Sequence, residues 1–242
     1  MADDITEELE VDLEPVQTHF EGVVKIPPGK MLEDIFIEGI GVLRGDFETD
    51  NLRVDGILKA KGDLVLHGDL TVNGICTCKG KLICEQEVTV SGMTRIHDTV
   101  KVEDTLHVLG TFKGKNQIQV GSVVFEGAAS INGDIVARKL VKVGGRAKIN
   151  GNIVGGNIHL TKSEEKTHLF ALKSIIKGNI AGKNIVALNH TKVFGDVKGK
   201  IVNLGIKTRI LGRVYYVEDI VISPRVKLAS DPIQISLEEL LS

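Results

Sequence analysis

The feature that most constrains this chain is a beat of six residues. From residue 54 it reads VDGILK AKGDLV LHGDLT VNGICT CKGKLI CEQEVT VSGMTR IHDTVK VEDTLH VLGTFK, ten hexads without a gap to Lys113. The first position is apolar in all ten, and the fifth in nine, Thr94 being the exception. The third is Gly in seven, with Gln86, Asp98 and Asp104 in the others, and the second is polar in nine. Six is even, so the two-residue alternation of a β-strand never loses phase. Odd positions carry the aliphatics and face inward; even positions face outward. Glycine at position 3 lets the chain turn a corner without a Cβ clash. A helical period of 3.6 cannot generate this pattern.

A second period is superimposed. Val54, Val72, Val90 and Val108 lie 18 apart, as do Gly56, Gly74, Gly92 and Gly110. Leu66, Cys84, Val102 and Val120 form another column, and Leu64, Leu82, Val100 and Ile118 a further one. Three hexads therefore close one coil, and like residues stack on the next. The beat continues through INGDI (131–135) and INGNI (149–153), which set Asn132 under Asn150, and through Gly178, Gly195 and Gly212. The predicted fold is all-β: a single-stranded parallel β-helix with three short strands per coil of 17–18 residues, about ten coils in all. Two interruptions are expected. One lies between Gly110 and Gly133, and the other is a polar loop near 161–173. The expected organisation is an acidic tail and lead-in over 1–36, the β-helix over 37–225, and a C-terminal tail over 226–242. That tail contains S-L-E-E at 236–239, a capping-box pattern.

Charge and cysteine usage narrow the function. Residues 1–14 hold seven acids and no Lys or Arg, and along the rest of the chain the bases are scattered among acids. Aromatics are 4% of the chain and Trp is absent. This is not a nucleic-acid signature. No apolar run approaches 18 residues and no signal peptide is apparent, so membrane association is not supported. Cys76, Cys78 and Cys84 are odd in number and occupy inward positions, which suits reduced core thiols in a cytoplasmic protein. No catalytic, cofactor-binding or metal-binding set is expected.

The segments INGDIVARKLVKVGGRAKINGNIVGGNIHL (131–160) and VFGDVKGKIVNLGIKTRILGRV (193–214) resemble bactofilins, over roughly residues 37–222. The resemblance implies a three-faced right-handed β-helix and a polymer-forming cytoskeletal role in nucleotide-independent filaments. It also implies self-association as the main partnership, with other cytoskeletal or cell-envelope proteins as further partners. The acidic start of this chain departs from the short apolar targeting tail that many family members carry. Two other readings share the repeat. A hexapeptide acyltransferase has the same 18-residue coil in a left-handed helix, but its hexads carry a small residue at position 5, and it needs a general-base His. Here His67 and His97 are five hexads apart, which is not a whole number of coils, so they fall on different faces. The other reading is a non-polymerising solenoid that serves as a binding scaffold.

A β-helix ends in unpaired strand edges and an exposed core cross-section, so an end must be capped or stacked upon. The residues expected at the ends are Phe36, Ile37 and Phe47 on one side, and Tyr215, Tyr216 and Ile220 on the other. One further set departs from the repeat. Beside the stacked glycines, position 4 is apolar: Ile40, Ile57, Ile75 and Met93. This predicts a lateral stripe, covered either by a second rod or by the chain's own segment 16–30. The polar residues Asp134, Asn152, Asn179, Asp196 and Arg213 are expected to continue the same column.

Overall fold

A computed structural model describes residues 17–161 and 174–241. Strands in parallel register make up a β-solenoid of about 11 turns with almost no helix. At one strand spacing per turn the rod is roughly 50 Å long. Every first and fifth position of the ten hexads is buried, Thr94 included. The columns read from the sequence are direct backbone neighbours: Leu64 pairs with Leu82, Leu82 with Val100 and Val100 with Ile118. Val54, Val72, Val90 and Val108 stack likewise. The core is mostly aliphatic, as a narrow interior demands. Two aromatic rings, Phe112 and Phe125, pack at 4.9 Å inside it.

Corners are built in two ways. At Gly39, Gly56, Gly74, Gly92 and Gly110 the backbone has φ between 123° and 142°. A Cβ at any of these would also strike the carbonyl oxygen of the stacked glycine one turn earlier. Both facts exclude other residues. At the next corner, the side chain following the glycine ties adjacent turns together. Asp63 accepts a hydrogen bond from the Lys81 N–H (2.8 Å), and Asp134, Asn152, Asn179 and Asp196 do the same for the residue stacked above each.

That ladder corrects two expectations. Asp134, Asn152, Asn179, Asp196 and Arg213 continue the column of Asp63 and Lys81, not that of Ile57. The glycine column that ends the strict run goes on from Gly110 to Gly127 and Gly145, so there is no interruption between residues 110 and 133. Gly133 belongs to the neighbouring corner, where it packs on Asn116. The expected loop at 161–173 lies, apart from Thr161, outside the described residues, as does the acidic segment 1–14. The flanking strands Asn157–Leu160 and Ser174–Ile176 take consecutive places in the coil.

The coil also begins earlier than residue 37. The strand Gln17–Ile26 pairs in parallel with Asp34–Leu43 over its whole length, and Gly29–Met31 pairs with Phe47–Thr49. At the other end Val214–Ile222 is followed by the short strand Ile233–Gln234, which pairs with Tyr215 and Tyr216, and by the helix Leu237–Leu241. The helix starts on the capping box: the Ser236 N–H donates to Glu239 Oε2 (2.8 Å), and the Glu239 N–H donates to Ser236 Oγ (3.2 Å). Residues beyond 226 thus remain attached to the last turn.

Candidate assembly surfaces

The ends are where a parallel coil has unused backbone donors and acceptors. At the first end, Gln17–Ile26 has a described pairing on one edge only. Its inward side chains Phe20 and Val24, with Met31, are partly buried and lie over the core. The residues expected at this end are elsewhere. Phe36 is on the second turn and points outward, stacked on His19 at 4.7 Å with the Arg53 guanidinium 5.2 Å from its centroid. Ile37 and Phe47 are buried inside the second turn. The reason is that Gln17–Ile26 supplies a turn the hexad count had not assigned, which moves the end one rung outward.

At the other end the expectation is closer. Tyr216 and Ile220 are partly buried against the last of the core, and Tyr215 faces out beneath Lys198, 5.4 Å from its ring. The strand Ile233–Gln234 covers the edge at Tyr215 and Tyr216, while Val226 and Leu228 close part of the cross-section. The described pairing on this edge stops at Tyr216, and Val221 and Ile222 beyond it are exposed. Sequence reasoning had no signal for this division, since Val217–Ile222 follows the same apolar pattern as the covered part.

The lateral column exists and is longer than expected. Val23 heads it, in register with Ile40, and Ile57, Ile75 and Met93 follow. Val23 is 66% exposed and Ile75 39%, while Ile40, Ile57 and Met93 are half-buried by the corner. Thr111, Ala128 and Arg146 follow, so the run of large apolar side chains ends at Met93. Cover by segment 16–30 does not occur within the described residues, because residues 17–31 form the first turn and end-stack on the second.

The side chains with reactive potential are dispersed. Cys76, Cys78 and Cys84 are buried free thiols, and burial pushes the first two up to about 12 and the third to about 11, far from thiolate character at neutral pH. His67 bridges Glu48 (2.7 Å) and Glu85 (3.0 Å), two turns apart, and these hydrogen bonds raise its pKa. His97 is on another face, with its pKa lowered by burial and then by Lys115, Lys79 and Arg95. His107 faces Glu126 at 3.4 Å on the third face. His19, Glu21 and Glu38 come together at the exposed first corner.

Residues 57–154 match the bactofilin family model, whose description is polymer-forming cytoskeletal. Over this stretch the chain is similar to a bactofilin domain. Comparisons with curated proteins and with solved structures gave no match. The matched stretch begins at Ile57, in the third turn, and ends at Val154, past the stacked Asn132–Asn150 pair. The same coil continues beyond it in both directions, from Gln17 on one side and to Ile222 on the other. The description of that family is structural and cytoskeletal. No helix among the described residues is long and apolar enough to cross a membrane.

Proposed function

We propose that this chain is a cytoplasmic structural protein whose rods stack end on end into filaments without a nucleotide, with copies of itself as the main partner. The observation that carries the reading is the first end. A ten-residue strand, Gln17–Ile26, has its described pairing on one side only, and Phe20, Val24 and Met31 lie partly exposed over the core beneath it. Adding a strand there would satisfy backbone groups and remove apolar surface from water at the same time. The exposed edge at Val221 and Ile222 offers a second, smaller site. The polymer-forming description of the family agrees.

The test is a charge placed at each end. Phe20→Arg and Ile222→Arg should each abolish filaments in negative stain and lower light scattering, with the circular dichroism of the rod unchanged. If like ends meet, each variant stops at dimers. If unlike ends meet, each stops at monomers. Filaments of normal length from both variants would sink the end-stacking reading.

A further inference from the structure

The three faces of the rod differ in charge. On the face that follows the Gly56 corner, the outward side chains form three rows. The first is the apolar row from Val23 to Met93. The middle row is fixed by backbone register and runs from Lys25 through Lys59, Arg95, Lys113 and Lys148 to Lys227, with no Asp or Glu among its described members. The third adds Arg44, Lys61, Lys79, Lys115 and Lys177, again with no described acid, and His97 sits among them. These bases are exposed, Lys192 of the middle row excepted. None of them takes part in an ion pair among the described residues. The bases that do, such as Arg53, Lys101, Arg138 and Lys200, are on the other faces. A single-sign strip running the length of the rod is an unneutralised field and calls for a polyanion.

We propose that this face docks on the surface of an anionic lipid bilayer, with the lysine rows on the headgroups and the apolar row in the interface. The apolar row decides between a bilayer and a nucleic acid. A phosphate backbone has no use for Val23, Ile40, Ile57, Ile75 and Met93 beside its contacts, whereas a bilayer interface takes basic and apolar side chains together. The face has one exposed aromatic ring, Phe194 (43%), which lies under the Lys192 ammonium at 4.1 Å, so it provides no row of rings on which bases would stack. It is built of strands, with no described helix to enter a groove. The rows stack turn upon turn along the coil, so successive lysines can engage one surface together. Docking requires no filament, although end-stacked rods would extend the same strip.

The experiment is sedimentation of the full chain with vesicles of phosphatidylcholine alone, or of phosphatidylcholine and phosphatidylserine at two to one. Binding should need phosphatidylserine and fall steeply with added salt. Lys59→Glu/Lys79→Glu/Lys113→Glu should weaken it on the order of a hundredfold. The corresponding Gln variant should give an intermediate loss and serves as the folding-neutral form. Ile57→Ser/Ile75→Ser/Met93→Ser should weaken vesicle binding while leaving the salt dependence in place. Lys101→Glu/Lys200→Glu, on other faces, should bind as the parent does. Vesicle binding that survives both the Glu and the Gln triple variants would overturn the proposal. So would equal or tighter binding of a DNA duplex at the same ionic strength.

Discussion

The turns before residue 114 and those after it solve the same corner differently. In the strands Asp34–Leu43, Leu52–Ala60, Leu70–Cys78 and Val88–Ile96, one continuous strand bends at a positive-φ glycine, and neighbouring turns pair without a register shift. In the later turns Gly127 and Gly145 hold the same column without that backbone conformation, the strand breaks at the corner, and the chain resumes in Ala128–Ile131 and Arg146–Ile149. Register shifts also appear at Val120/Ser122, Gly182/Ile185 and Gly199/Ile201. The lesson is that stacking tolerates turns of 17 or 18 residues as long as the inward column is kept. The early glycines are needed both for their backbone and for the close approach of the turn below, the later ones for the close approach alone.

The comparison is most exposed at the glycines. Gly74→Ala would force a Cβ into a positive φ (139°) and against the Gly56 carbonyl, so it should cost about 3 kcal/mol. Gly144 has ordinary backbone and its nearest neighbour for a Cβ is the Phe125 carbonyl at 3.9 Å, so Gly144→Ala should be neutral or stabilise by about 0.5 kcal/mol. Thermal unfolding checks both. Labelling of the buried thiol of Cys76 by a thiol reagent reports whether the loss opens the early turns. Equal effects from the two substitutions would mean that neither the positive φ nor the close approach of the turn below constrains Gly74.

A smaller contrast lies in buried hydroxyls. Thr94 Oγ1 has no hydrogen-bond partner, whereas Thr191 Oγ1 donates to the Asn189 carbonyl (2.9 Å). Thr94→Val should therefore stabilise by about 1 kcal/mol, and Thr191→Val should destabilise by about as much, as read from denaturant midpoints. Opposite signs sharpen the comparison; a loss from both would mean that Thr94 has a role that burial alone does not give.

The smallest effect concerns the ladder Glu48–His67–Glu85, which belongs to the early turns. His67 is about one-third exposed, and its folded pKa is raised. Its contribution is fully present below the unfolded value near 6.5 and is lost as pH rises through the folded one. The parent should thus exceed His67→Gln in melting temperature more at about pH 5.5 than at about pH 8.5. A pH-independent difference would mean that the ladder is packing rather than charge.

The periodicity of the sequence determined the solenoid, the inward set and most of the stacking partners. A two-residue alternation locked to a six-residue beat leaves one inward arrangement, and an 18-residue recurrence leaves one neighbour for each column. The same logic made the apolar row legible at Ile40, Ile57, Ile75 and Met93. It also set Asn132 beneath Asn150, where the Asn150 amide donates to the Asn132 side-chain oxygen. What the tertiary structure alone decided is where columns continue once turns shorten, where the ends fall, and how charge is distributed. Gly133 breaks the beat of Gly110 when residues are counted, and only stacking shows that Gly127 holds that column while Gly133 sits at the next corner. Phe36 is terminal by the hexad count, but Gln17–Ile26 is paired beneath it. Along the chain bases and acids are interspersed, because each turn visits three faces in succession. Only stacking turns 17 or 18 residues apart collects Lys59, Arg95, Lys113 and Lys148 onto one surface and leaves the acids to the others.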